Sequence, residues 1–353
     1  MSNVNRIDPA QSPTTEVIRW LRFPMIVLVT YAHSYSNIAA DYSLFSSDWN
    51  TYEFLKLLIS QTLVKVAVPV FFIISGYLFF ANVETWNMQV YKAKILRRLK
   101  TLLIPYFVWN LLMAVKLKAF SWSMFWVYWK PAGTQIDWFG VEQFMTAPAN
   151  MPLWFLRDLM AVSLLTPIIY IAVRRLGFWL MGVLTVLYLS GVCAFIPGLS
   201  AYAVYFFTLG AFLSIRRQDL VLSLRRVELP ACVLSVVFAL AMMFFYRAEA
   251  FSSFMLAFRL VGAVAVFCIG SRLSRYGHSL GSQLSRSSFF IYLAHYVFFM
   301  SFIDTAFFSF FGTSSVSLSI HYLLCPLVKA AIFVFFYFIF VKIMKNIAAR
   351  ALL

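Results

Sequence analysis

Arg22 and His33 stand eleven positions apart in an apolar run that begins near Val17. Eleven residues make close to three helical turns, so both side chains leave one helix face, roughly 16 Å apart along the axis. A guanidinium suits the capture of phosphate or carboxylate groups. An imidazole is the side chain best placed for general base work near neutral pH. One helix would thus offer an anion anchor at one end and a base farther along. The plainer account is an arginine that snorkels to the interface and a histidine bonded to a backbone carbonyl. The spacing alone admits both.

Other ionisable groups also fall within apolar runs, where an uncompensated charge is costly. His295 follows Tyr292 by three residues, which places the two on one face. Arg259 and Lys329 lie deep in apolar stretches, and Lys65 and the Arg157-Asp158 pair lie toward the outer side. Asp158 and Asp304 are the main carboxylates there, so cations are in excess. A bound anion would balance them, and so would backbone carbonyls at broken helices. His278 and His321 fall in loops or at span ends and are expected to be solvated. The cluster Lys92, Lys94, Arg97, Arg98 and Lys100 leads into Pro105-Tyr106. It reads either as a topology signal or as a phosphate dock.

These residues are carried by an unusually apolar chain. Of 353 residues, 62% are hydrophobic and only 12% are charged, with 29 Lys and Arg against 13 Asp and Glu, a net charge of +16. A soluble domain carries about 25% charged residues. A water-soluble enzyme is therefore excluded, and alternation of the kind found in outer-membrane barrels is absent. The expected fold is all-α, a polytopic bundle of about ten transmembrane helices forming one domain over residues 1–353. The spans run near Val17–Tyr35, Leu58–Phe80, Leu102–Val115, Leu153–Val173, Phe178–Phe195, Tyr202–Ile215, Leu229–Tyr246, Phe251–Ile269, Ser288–Phe307 and Tyr322–Ile343. With ten spans, every basic cluster falls on one side, including Arg174-Arg175, Arg216-Arg217, Arg225-Arg226, Arg272 and Lys342. Asp41, Asp48, Glu53, Asp137, Glu142 and Glu249 fall on the other. The positive-inside rule then places both termini in the cytoplasm. Clustered in this way, the basic residues set orientation and point away from nucleic acid. The long loop from Lys116 to Pro152 carries Trp122, Trp126, Tyr128, Trp129, Trp138 and Phe139. It reads as an interfacial belt or as a cover for a sugar-binding site.

Several chemistries find no motif here. There is no P-loop, no His-Glu-x-x-His and no Gly-x-Ser-x-Gly elbow. None of the four histidines is followed five positions later by Asp, the pattern of glycerolipid acyltransferases. Cys193, Cys232, Cys268 and Cys325 lack metal-ligand spacing, and no metal is expected.

The chain resembles the acyltransferase-3 family of bacterial membrane acyltransferases over nearly its whole length, in its membrane-only form. The resemblance rests on Arg22-x10-His33 and on the run Val68-Pro69-Val70-Phe71-Phe72-Ile73-Ile74-Ser75-Gly76-Tyr77-Leu78. Weaker echoes are Arg97-Arg98 before Pro105-Tyr106, Leu153-Trp154-Phe155-Leu156, and Ile291-Tyr292-Leu293-Ala294-His295. Arg19 stands where the family often has Asp, three residues before the signature Arg. The resemblance implies transfer of an acyl group, usually acetyl from acetyl-CoA or another acyl-CoA, to a hydroxyl of an envelope carbohydrate or glycolipid. The setting would be the bacterial cytoplasmic membrane. His33, Arg22, His295 and Tyr292 are then the expected catalytic set. Arg97, Arg98, Lys94 and Arg259 are expected on the donor, and Lys65, Trp154, Arg157 and Asp158 on the acceptor side. Ser75 and Gly76 are expected to serve helix packing rather than chemistry. The rival expectation from the deep cations is a transporter or flippase for an anionic glycan or lipid-linked sugar.

Overall fold

The computed structural model describes residues 13–34, 50–123, 148–191, 198–275, 282–298 and 301–351. The described residues contain no β-strand and are almost wholly helical. Helix α1 (Pro13–Ala32) is followed by α2 (Thr51–Phe80) and α3 (Met88–Lys116). Next come α4 (Trp154–Leu164), α5 (Thr166–Leu176), α6 (Phe178–Leu189), α7 (Ala201–Ile215), α8 (Leu220–Phe244) and α9 (Phe251–Arg275). Helices α10 (Ser282–Ala294), α11 (Ser301–Phe311) and α12 (Ser315–Ala351) complete the chain.

Five helices, α2, α3, α8, α9 and α12, are long and apolar enough to cross a membrane, and the bent pair α4–α5 makes a sixth when taken as one span. Their flanks expose large apolar side chains such as Ile168, Leu229 and Phe335, a surface suited to lipid rather than water. With the family relationship reported below, this makes the chain a multi-pass membrane protein. Helices α6 and α7 are apolar but shorter than the roughly 20 residues of a full crossing. Helix α1 carries Glu16, Arg19 and Arg22.

Three expected elements differ from the sequence reading. The stretch 153–173 is not one straight span: α4 and α5 meet at a bend of 61°. Pro167 in the first turn of α5 lacks the N–H that would continue the ladder of α4. The stretch 288–307 is broken too, because α10 ends at Ala294 and helix resumes at Ser301. His295 therefore sits in a turn beyond a helix end rather than in mid-span. The basic cluster from Lys92 to Lys100 lies on helix, continuous with the apolar part of α3 through a π-helical turn at Leu99–Leu103. Most of the aromatic loop, Cys193 and His278 lie outside the described residues.

The centre of the bundle is the crossing of α2 and α7. Gly76 and Gly210 place the two backbones against each other. A Cβ on Gly76 would strike the Phe207 carbonyl, and a Cβ on Gly210 would strike the Ile73 carbonyl. Phe72, Phe79, Phe80, Phe206 and Phe207 fill the space around this contact and are buried. Helix α1 runs through the bundle against α2, α9, α10 and α12. Its buried stripe is Val17, Ile18, Leu21, Met25, Ile26 and Val29, a helical repeat. Its far end is pinned twice. The Tyr31 hydroxyl donates to the Leu323 carbonyl at 2.6 Å, and the Ser60 hydroxyl donates to the Tyr31 carbonyl at 2.9 Å.

Gly76→Ala and Gly210→Ala are each expected to cost about 1–3 kcal/mol through overpacking against rigid backbone. Thermal melting in detergent measures this. Gly182→Ala on α6, where an added Cβ meets nothing within 4 Å, is expected to leave the melting temperature equal or higher.

Candidate active site

The sequence-predicted residues gather at two places linked by α1. The first is a cavity of about 380 Å³ between α1, α2, α3, α4 and α10. Arg22, Arg98 and Arg286 line it, with Ser75, Ser285, Ser288 and Tyr292 as polar neighbours and Ile26, Phe71, Leu102, Phe155 and Phe289 among its apolar walls. Arg98 is held rigidly. Its Nη1 donates to Ser163 Oγ at 2.7 Å, and its Nη2 donates to Ser75 Oγ at 2.9 Å and to the Ser75 carbonyl at 3.1 Å. Its guanidinium lies over the Phe79 ring at 4.7 Å. Gly76 serves packing as expected, whereas Ser75 does more, since it orients an arginine at the cavity wall. Arg22 has no carboxylate partner among the described residues, in keeping with Arg19 in place of an acid three residues before it. Its charge is thus available to the cavity.

The second place is a pair of imidazoles at helix ends. His33 follows the last residue of α1 and His295 follows the last residue of α10. Their ring centroids are 5.3 Å apart, and His33 also meets the edge of the Tyr296 ring at 5.6 Å. His295 Nδ1 lies 2.8 Å from the Tyr292 carbonyl and 3.1 Å from the Ile291 carbonyl. Carbonyl oxygens only accept, so Nδ1 carries the proton and Nε2 carries the lone pair. That Nε2 is buried and has no hydrogen-bond partner among the described residues.

Tyr292 joins the two places. Its ring lines the cavity and lies 6.3 Å from the His295 ring. Its hydroxyl donates to the Pro152 carbonyl at 2.6 Å, so it is engaged in tying α10 to the start of α4. Asn150 makes the same tie through its Nδ2, which donates to the Leu293 carbonyl.

The remaining candidates divide. Lys65 lies within electrostatic range of His33 and of Arg259. Arg259 does not line the cavity with Arg22 and Arg98. Its guanidinium stands over the Tyr202 ring at 5.0 Å. Trp154 meets Tyr202 and Phe155 through ring contacts. Arg97 is exposed, and Lys94 rests over the Phe79 ring at 5.5 Å; neither lines the cavity. Arg157 and Asp158 are buried against each other, with Nε and Nη2 donating to Asp158 Oδ1 at 3.0 and 2.9 Å. Asp158 Oδ2 accepts from the Ser200 N–H at the start of α7. His321 is not a solvated loop residue. It lies on α12 against Phe308, and its Nε2 is 2.9 Å from Asp304 Oδ1. Both Asp304 oxygens also accept from Lys329 Nζ, at 2.8 and 2.9 Å. Asp304, His321 and Cys325 have ligand atoms within 4.8 Å of one another. The lysine already neutralises the carboxylate that a metal ion would require.

Arg286 was missed as a site residue because in sequence it reads as one more basic loop residue. Only the packing of α10 on α1 sets it at the mouth of the Arg22 cavity.

The helical bundle thus combines a basic cavity, able to hold an anionic group, with a pair of imidazoles able to take up a proton. Residues 16–346 match the acyltransferase domain that defines the acyltransferase-3 family, and the chain belongs to this family and is an acyltransferase. It is 26% identical over 298 residues to the succinoglycan biosynthesis protein ExoH of Rhizobium meliloti (strain 1021), covering 79% of this chain and 77% of the relative. No solved structure matches the chain.

Arg98→Lys keeps the charge but cannot serve Ser75 and Ser163 together. It is expected to cost about 1–3 kcal/mol in thermal melting, more than Ser163→Ala. Lys329→Met leaves Asp304 with His321 alone and is expected to destabilise more than the combined Asp304→Asn, Lys329→Met change, a comparison made by melting the three proteins side by side.

Proposed function

We propose that the protein moves an acetyl or other short acyl group from cytoplasmic acyl-CoA to a hydroxyl of an envelope or exported polysaccharide or its glycolipid precursor. The observation that carries this reading is the placing of Arg22 in a basic cavity and of His33 beside the unpartnered lone pair of His295, on one pinned helix. The likeness to a succinoglycan biosynthesis protein supports a polysaccharide acceptor. In this reading the chain forms one domain over residues 1–353. It crosses the bacterial cytoplasmic membrane ten times with both termini in the cytoplasm, as the one-sided distribution of basic clusters supports.

Arg22 and Arg286 take the phosphates of the donor. Arg98, fixed by Ser75 and Ser163, holds the cavity's potential positive, while Lys94 and Arg97 add to the field at its entrance. His33 removes the proton from the acceptor hydroxyl. The oxygen attacks the thioester carbonyl, the C–S bond breaks, and the proton ends on the CoA thiolate, so an ester and free CoA are formed. His295 acts through His33: its Nε2 lone pair can accept an N–H from the neighbouring ring and orient it. The same arrangement accommodates an acyl-His33 intermediate, in which the acyl group passes to the imidazole before the hydroxyl receives it. No metal takes part in this scheme.

The test is binding and turnover of labelled acetyl-CoA by the protein in liposomes supplied with a glycan extract. Wild type is expected to bind the donor and release CoA. His33→Ala should retain binding and lose roughly 10²–10⁴-fold in CoA release, the scale of general base catalysis. Arg22→Ala and Arg286→Ala should weaken donor binding. Failure of folded wild type to bind any acyl-CoA would overturn the proposed donor chemistry.

A further inference from the structure

Four carboxylates among the described residues are held by cations. Asp158 is held by Arg157, Asp304 by Lys329, Glu53 by Lys56 and Glu228 by Arg272. Lys65 and Arg259 are left over, and neither has an ion pair among the described residues. They are brought together by fold. Lys65 sits in the tight helical turn Leu63–Val66 of α2, and α9 packs on that turn through Gly262, whose Cα approaches Val66. Arg259 lies one turn before Gly262 on α9 and stands over Tyr202. Its Nε is buried without a hydrogen-bond partner, and the Tyr188 hydroxyl lies buried beside the guanidinium with no acceptor for its own proton. Two cations with two orphaned donors form an arrangement that lacks its anion. Like charges held together in a low-dielectric interior repel, and unpaired buried donors each carry a desolvation cost. One carboxylate would settle all of them at once, accepting from an ammonium, a guanidinium and a phenol. The group lies beside the proposed chemistry, since Lys65 is also in electrostatic range of His33.

We infer that Lys65, Arg259 and the Tyr188 hydroxyl form a carboxylate-binding site next to His33, and that the enzyme prefers a substrate bearing a negative charge. The inference rests on the acyl-transfer reading above. The carboxylate comes from one of two sources: the free end of a dicarboxylic acyl group, or an acidic sugar of the acceptor. In either case the anchored charge sets the distance from the reacting carbonyl or hydroxyl to the His33 ring.

The experiment uses full-length protein in proteoliposomes with four substrate pairs. Acetyl-CoA and succinyl-CoA are each supplied with a neutral and with a uronate-containing oligosaccharide. The readout is the ratio of kcat/KM for the charged over the neutral member, which a general loss of folding does not move. Wild type is expected to favour a charged member. Lys65→Met and Arg259→Gln should lower that ratio by roughly tenfold to a hundredfold, the loss of one charge-assisted hydrogen bond. Lys65→Arg should restore most of it. A fall that follows the donor identifies the acyl carboxylate, and a fall that follows the oligosaccharide identifies the acidic sugar. A wild type with no charge preference, or variants whose ratios stay unchanged, would overturn the inference and leave acyl transfer standing. Absence of transfer from every donor would bring down the acyl-transfer reading, and this inference with it.

Discussion

The contact between the backbones of α2 and α7 at Gly76 and Gly210 governs the rest of the molecule. Between helices in a bilayer, little hydrophobic gain is available, so close packing over small residues carries the association. Here the closeness also has a chemical effect. Ser75 precedes Gly76, and Phe207 faces it. Both contact Arg98, the serine through hydrogen bonds and the ring through its face at 5.6 Å. The crossing that closes the core therefore fixes the wall of the basic cavity. A bulkier residue at either glycine would shift α2 along α7 and move the arginine's anchors apart.

Charge is handled in two distinct ways. Arg157 with Asp158, and Lys329 with Asp304, are compensated within the protein, and each pair fastens one helix to another. Arg22, Lys65 and Arg259 are not compensated among the described residues. The first group makes the frame; in the second, Arg22 lines the basic cavity, while Lys65 and Arg259 stand where α9 packs on α2. Arg98 stands between these roles, being satisfied by hydroxyls and a carbonyl while keeping its net charge. A neutral ligand shell lets an arginine contribute positive potential without being cancelled by a carboxylate.

Much of this was legible in the sequence. The eleven-residue spacing of Arg22 and His33 on one face, the packing role of Gly76 and the helical stretches follow from local periodicity and residue size. The ends of those helices were less legible. Nothing in the apolar run 288–307 marks the stop at Ala294, because tertiary contacts such as those of Tyr292 and Asn150 decide it. Arg157 and Asp158 are adjacent on a helix, where neighbours do not face one another, yet the long arginine folds back to reach the carboxylate. Arg286 and the sharing of Asp304 by Lys329 and His321 depend on which helices lie side by side, and one-dimensional spacing does not carry that information. The family match explains why an enzyme reading survives where the deep cations alone also admitted a carrier.

The separation of Arg22 from His33 has a consequence for what the enzyme can recognise. On the proposed chemistry, the anionic anchor and the reacting ring are roughly 16 Å apart along a pinned helix. A small activated acyl group cannot occupy both ends. Only a donor with a slender, flexible arm between its charge and its thioester can span them. Helix α1 then works as a ruler, measuring the arm and not the nucleotide. Any acyl carrier with an arm of equal reach would satisfy the same measurement, whatever lies beyond its phosphate.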